Sequence, residues 1–257
     1  MAFKHITSRD NPIFKQLKKL ADSARERGRE NKTLLDGVHL IESYLHTYGE
    51  PLSLVIPEGR SSIEATALMQ QLEHVSAVML PTLMFSELTP VASSTGILAV
   101  IDIPQISPPE RPQFALMLEN IQDPGNLGSM LRTALGAGVE VVYCSKGCTD
   151  VWSPKALRGG QGAQFHLAVV ENADLPKAMQ DFAGNVFATT LDGDSLYSLD
   201  LTSSTAFVIG NEGAGLQAET IAAATRKVSI PTDARLESLN AATAAAVCLF
   251  ERVRQIA

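Results

Sequence analysis

The residues with the most chemical potential lie between 209 and 240. An apolar run, TAFVI at 205–209, breaks off into Gly-Asn-Glu-Gly-Ala-Gly at 210–215. A second short run ends at Pro231, and Ser238-Leu239-Asn240 then opens an alanine-rich stretch. Two strand ends and one helix start, each marked by glycine, proline or a capping residue, predict a ligand pocket at the carboxyl edge of a parallel sheet. Upstream, Arg132 adjoins the apolar stripe Leu127, Met130, Leu131, Ala134, Leu135 and so points away from the core side. Standing alone it would read as a surface arginine.

The common nucleotide and hydrolase signatures do not fit. Gly136-Ala-Gly138 ends a helix before a strand, the wrong side for a dinucleotide turn, and Gly213-Ala-Gly215 lacks the third glycine. No G-x-x-x-x-G-K-[ST], G-x-S-x-G or H-E-x-x-H occurs. Cys144 and Cys148 are spaced C-x3-C with no second ligand pair, which predicts no zinc site. With Cys248 they read as small buried thiols of a reducing, cytoplasmic compartment. His39, His46 and His74 read as structural or exposed, and His166 as packed on a strand.

The elements that must position these residues follow from periodicity. Residues 10–30 predict a basic amphipathic helix capped by Asp10 or Asn11, with Pro12 in its first turn. Residues 1–32 carry nine Lys/Arg against four Asp/Glu, a local +5 on a chain of net charge −7. Such asymmetry marks a basic arm on an acidic body. Alternating strands and helices over 32–103 predict a small α/β domain. Four prolines in 104–112 predict a stiff linker. Residues 113–257 start with FALML, a continuous apolar run suited to a central parallel strand, after which Asn126 reads as the cap of a helix. The closing helix is read over 240–256. Neither a signal peptide nor a membrane span is predicted.

Three segments carry a resemblance. NIQDPGNLGSMLRTALGAGV (120–139), VIGNEGAGL (208–216) and SIPTDARLESLNAATAAA (229–246) resemble motifs 1, 2 and 3 of the SpoU/TrmH family of RNA ribose 2′-O-methyltransferases, in the family's order. Residues 32–100 resemble, more weakly, the L30e-like domain of its rRNA-modifying members. The resemblance implies a SPOUT fold: a parallel α/β sheet with a C-terminal trefoil knot that holds S-adenosylmethionine. It also implies a homodimer acting on RNA, most readily rRNA, with no metal and no membrane. By position it sets the cofactor against Thr189, Gly210, Ile230 and Leu239. It assigns catalysis to Asn120, Arg132, Glu212, Ser238 and Asn240.

Methyl transfer to a ribose hydroxyl is an in-line displacement that needs alignment of oxygen and methyl carbon and removal of a proton. An arginine, charged at all ordinary pH, is a poor base, so Arg132 is expected to grip phosphate and stabilise developing alkoxide. Bland roles stay open for the others: Glu212 as a loop anchor, Ser238 or Asn240 as helix caps. The chain departs from the family at Thr232 and Ala234, where Met and Gly are usual, and at Asp36, where Glu is usual. An alanine in place of glycine could hinder a turn that needs positive φ. A non-catalytic RNA-binding or ribosome-assembly factor of the same fold, or tRNA as substrate, are the alternatives.

Overall fold

The computed structural model describes residues 3–59, 61–89 and 94–257. The chain forms two compact units: Met1–Pro104 with Trp152–Phe165, and Gln105–Val151 with His166–Ala257. Residues 152–165 thus group with the first unit, whereas the sequence expectation gave them to the second.

In the first unit β1 (Phe3–His5) is followed by α1 (Pro12–Asp22), α2 (Ala24–Glu30), β2 (Lys32–Asp36), α3 (Val38–Tyr48), β3 (Ser53–Pro57), α4 (Ile63–Gln71), β4 (Ala77–Leu80), α5 (Thr82–Ser86) and β5 (Leu98–Asp102). The five strands make one sheet in the order β1-β4-β3-β5-β2, with β5 antiparallel to both its neighbours. The stretch expected as one helix over 10–30 is two. Ser23 adopts an extended conformation and its side chain accepts the Glu26 N–H, so a local cap starts a second helix. Arg27 turns inward to donate to the Leu20 and Ala21 carbonyls at the end of α1. Nor is the segment a free arm. Phe14, Leu17 and Leu20 are buried in one cluster with Leu34, Val55 and Leu98. Much of its charge is paired locally, as Lys15 to Asp10, Lys18 to Asp22 and Arg29 to Glu26 and Glu30.

The second unit begins with β6 (Phe114–Leu118), α6 (Pro124–Gly136) and β7 (Val141–Ser145). After α7 (Pro154–Gly160), which groups with the first unit, come β8 (Ala168–Ala173), α8 (Leu175–Asp181), β9 (Asn185–Ser195), β10 (Thr205–Ile209), α9 (Ala218–Ala223), β11 (Arg226–Ser229) and α10 (Ala241–Ile256). Its six strands run parallel in the order β11-β9-β10-β6-β7-β8. Every residue of β6 and β10 is buried, as central parallel strands covered on both faces require. The edge strands β8 and β11 are mostly half-buried or exposed. His166 lies outside β8, in an exposed turn, because the strand starts two residues later.

One irregularity shapes the sheet's carboxyl edge. Pairing between β11 and β9 jumps from Lys227–Ala188 to Val228–Asp194. Residues 189–193 therefore bulge from β9, and Thr189, at the base of the bulge, donates its hydroxyl to the Val208 carbonyl at 2.8 Å.

Candidate active site

Four chain segments meet at the carboxyl ends of β6, β9 and β10: the loop before α6, the bulge of β9, the glycine loop after β10 and the start of α10. Each is held by its own local chemistry.

The first is organised by Asp123. Its carboxylate accepts the Asn126 N–H at 2.8 Å, and Pro124 takes the first helical position of α6. Asp123 is thus the cap that the sequence reading gave to Asn126. Asn126 falls in the first turn instead, and its side chain is left to point outward. The amide Nδ2 donates to Glu212 Oε1 at 3.1 Å, and Oδ1 accepts from Asn240 Nδ2 at 3.1 Å.

The glycine loop closes on itself. Asn211 and Gly215 exchange both backbone hydrogen bonds, at 3.1 and 3.0 Å, and Asn211 Oδ1 accepts the N–H groups of Gly213 and Ala214. Asn211 Nδ2 reaches across to the Asn120 carbonyl at 2.8 Å. Gly210 is needed at the mouth of this loop, because a Cβ there would stand 2.4 Å from the Gly215 carbonyl carbon. Behind it, buried Glu119 accepts the Gln217 N–H at 2.7 Å and the Thr220 hydroxyl, tying the loop's exit to β6.

Glu212 stands exposed on the loop. Burial pushes its carboxyl up, but hydrogen bonds from the Asn126 amide and from the N–H groups of Glu212, Gln122 and Asp123 outweigh it and hold the group below its usual range. At the helix start, Asn240 caps α10 by accepting the N–H groups of Ala242 and Thr243 at 2.9 and 3.2 Å. Its capping role and its bond to Asn126 coexist, since one uses Oδ1 and the other Nδ2.

The sequence-predicted residues therefore separate. Glu212 and Asn240 are joined through Asn126, which the sequence reading took only as a cap. Asn120 stays outside that bridge: it adopts a left-handed conformation with φ +54°, and its N–H goes to Ser145 Oγ at 2.9 Å. Arg132 is exposed on α6, and its guanidinium bonds to no described residue. Ser238 is exposed, and its hydroxyl likewise bonds to no described residue. Thr189, Gly210, Ile230 and Leu239 are half-buried on or beside the bulge, the glycine loop, the end of β11 and the start of α10. The departures in motif 3 are harmless to the backbone: Ala234 is not among the residues with positive φ, and residues 231–238 are all exposed. The signal for Asn126 was present in Asp123-Pro124, a stronger cap and first-turn pair than Asn126-Leu127.

Comparison with known proteins gives this arrangement a family. The model of the SpoU rRNA Methylase family matches residues 113–250. An uncharacterized tRNA/rRNA methyltransferase of Synechocystis sp. is 33% identical over 97% of this chain and 93% of its own. The Bacillus subtilis 23S rRNA (guanosine(2553)-2′-O)-methyltransferase RlmP is 32% identical over 96% of this chain and 98% of its own. Among solved structures, the SpoU methyltransferase AviRb of Streptomyces viridochromogenes in complex with AdoMet superposes with a TM-score of 0.79 and 28% identity, covering 95% of this chain and 98% of that one. The chain belongs to the SpoU family of RNA ribose 2′-O-methyltransferases.

Proposed function

We propose that the protein transfers a methyl group from S-adenosylmethionine to a ribose 2′-hydroxyl of rRNA. The observation that carries this reading is the Asn126 bridge, which draws the helix of motif 1, the loop of motif 2 and the cap of motif 3 into one polar cluster. The residues beside it suit the cofactor. Half-buried Ile230 and Leu239 offer apolar walls, and the self-closed loop after Gly210 offers backbone groups to read an adenine edge.

When bound, the cofactor supplies an electrophilic sulfonium methyl. The chain's own residues do the rest. Arg132, exposed and without a described partner, is free to bind a phosphate and stabilise charge on the ribose oxygen. Glu212, held ionised by its hydrogen bonds, is a weak proton acceptor and acts as an anchor for the loop. Asn126 orients Glu212, and Asn240 orients Asn126 while starting α10. Asn120 supports the same loop through its backbone, and Ser238 is available to RNA or cofactor.

The reading extends to the assembly. Knotted threading is supported by the strand order: β11 lies outside β9, and α10 then returns to pack on α6 and β10. A homodimer is supported by Phe250 and Ile256, large apolar side chains exposed on α10. The first unit serves as an L30e-like RNA-binding domain, and the whole acts in the cytoplasm. Among the described residues no helix is long and apolar enough to cross a membrane. No group of three or more His, Cys, Asp or Glu is placed among them to hold a metal ion.

Titration calorimetry with S-adenosylmethionine, followed by methyl transfer to rRNA from cells lacking the protein, tests the reading. Binding with transfer is expected. Absence of binding by folded protein overturns it.

A further inference from the structure

Asn120 takes no part in the Asn126 bridge, yet its place is closely fixed. It follows Glu119, whose N–H donates to the Ile209 carbonyl at 2.9 Å where β6 ends. The chain then turns into the left-handed region at Asn120, with φ +54°, which asparagine tolerates better than most residues. Both backbone groups of Asn120 are tied. Its N–H donates to Ser145 Oγ at 2.9 Å, and its carbonyl accepts Asn211 Nδ2 from the glycine loop at 2.8 Å. Asn120 is half-buried, and its side-chain amide bonds to no described residue. An amide carries two donors and an acceptor, and withdrawing them from water is costly unless a partner meets them.

The amide lies over a turn that follows β7. The Cys148 N–H closes this turn on the Ser145 carbonyl at 3.0 Å. Cys148 Sγ accepts the Ile121 N–H at 3.4 Å and donates to the Leu118 carbonyl at 3.2 Å. Cys148 is only half-buried, against the expectation that all the thiols are enclosed. The Gly147 carbonyl accepts Gln122 Nε2 at 3.2 Å, and the Ile121 carbonyl accepts the Thr149 N–H at 2.7 Å. The turn is thus bound to the chain on both sides of Asn120. A Cβ on Gly147 would stand 1.7 Å from Asn120 Oδ1 and 2.7 Å from Cγ, but 3.5 Å from Cα. The amide therefore fills the space that a side chain at 147 would take, while the Asn120 backbone lies at ordinary contact distance. Gly147 is not among the glycines with positive φ, so space, not backbone conformation, is what calls for glycine there.

We infer that Gly147 is a positioning residue for methyl transfer: its missing side chain forms the niche that holds the Asn120 amide toward the reacting ribose. The inference rests on the methyltransferase reading above. The bonds to Ser145 and Asn211 fix the Asn120 backbone from two sides, so the niche over Gly147 sets where the amide points. The amide is then the polar part of Asn120 left over for a ligand, at the carboxyl end of β6 and beside the glycine loop. An amide N–H held in this way can orient the ribose oxygen for attack.

Gly147→Ala places a methyl group where the amide lies. The atoms in its way are the far end of a flexible side chain, so the amide swings aside and the backbone stays. A shift of about 1 Å in a positioned group costs about a hundredfold in rate, so kcat should fall by about that factor. The KM for RNA, the affinity for S-adenosylmethionine and the unfolding midpoint should stay close to native, as for an interaction made only in the transition state. Asn120→Gly keeps the left-handed backbone and removes the amide, and should lose a similar factor. Adding Gly147→Ala to Asn120→Gly should cost nothing more, because the atoms it displaces are gone.

Steady-state kinetics of both single variants and the double variant, on rRNA from cells lacking the protein, tests this beside a crystal structure of Gly147→Ala. A kcat about a hundredfold lower in Gly147→Ala, no added loss in the double variant and an amide rotated off its native position are the expected result. A native rate in Gly147→Ala overturns the inference. So does an equal fold-loss with and without the Asn120 amide, which assigns the effect to the turn itself. Should Gly147→Ala fail to fold, the double variant decides: it should fold as Asn120→Gly does, and its failure overturns the niche. A crystal in which the turn shifts and the amide keeps its place overturns the niche as well. That crystal is read without any activity. A native protein that transfers no methyl group, with the amide displaced in the Gly147→Ala crystal, supports the niche and overturns the methyltransferase reading, and with it the role in transfer.

Discussion

Asn240 donates its side-chain amide to Asn126 Oδ1 at 3.1 Å, while the other end of the Asn126 amide holds Glu212 at 3.1 Å. Residues 114 positions apart in the chain thereby fix each other's rotamers. Replacing Asn126 by Ala removes both bonds. A hydrogen bond to a charged group contributes about 1.5–3 kcal/mol, so kcat/KM should fall roughly ten- to a hundredfold. Asn126→Asp should fall further, because it sets a second carboxylate against Glu212. Steady-state kinetics beside a thermal unfolding curve separates this from loss of fold.

Arg132 is exposed and bonds to no described residue, so the fold does not depend on its charge. Arg132→Ala should leave stability within about 0.5 kcal/mol. Methyl transfer should drop by about a hundredfold or more, the cost of losing one group that stabilises developing negative charge. Arg132→Lys should recover only part of this, since an ammonium cannot grip phosphate with two parallel bonds. Denaturant unfolding and a single-turnover assay give the two readings.

Gly210→Ala tests the glycine loop. The new Cβ would meet the Gly215 backbone at 2.4 Å, and backbone cannot swing aside as a side chain can. Overpacking of this kind costs about 1–3 kcal/mol. If the loop borders the cofactor, calorimetry should show affinity for S-adenosylmethionine at least tenfold weaker, equivalent to about 1.4 kcal/mol.

Acid stability should depend on Glu251. This buried carboxylate is bonded by Arg254 and Gln255, at 2.7 and 2.9 Å, which pull it down from 4.5 to about 2. A value lower in the folded than in the unfolded chain stabilises above the unfolded value, and that contribution is lost as pH falls from 4.5 toward 2. Glu251→Gln should be less stable at neutral pH and should show a flatter loss of stability across that acid window. Unfolding midpoints measured at a series of pH values report both effects.

Some of this architecture is visible in the residues themselves. The unbroken apolar runs of β6 and β10 announce central parallel strands, and Asn240 before an alanine run announces a helix start. Other features depend on competition between neighbours. Periodicity alone carries a helix through Ser23, yet that residue's own hydroxyl supplies a better cap for Glu26. Asn126 could cap α6, yet Asp123 with Pro124 does so and frees it for Glu212. The bridge from Asn126 to Asn240, the left-handed Asn120 and the half-exposed Cys148 come from long-range packing, which leaves no mark in local spacing.

The most direct test supplies purified protein with S-adenosylmethionine carrying a tritiated methyl group and with rRNA from cells lacking this gene. Label fixed on a ribose 2′-oxygen by the native chain, and abolished in Arg132→Ala protein that still binds the cofactor, is the predicted result. Equal labelling by the two proteins, or label found only on bases, would contradict it.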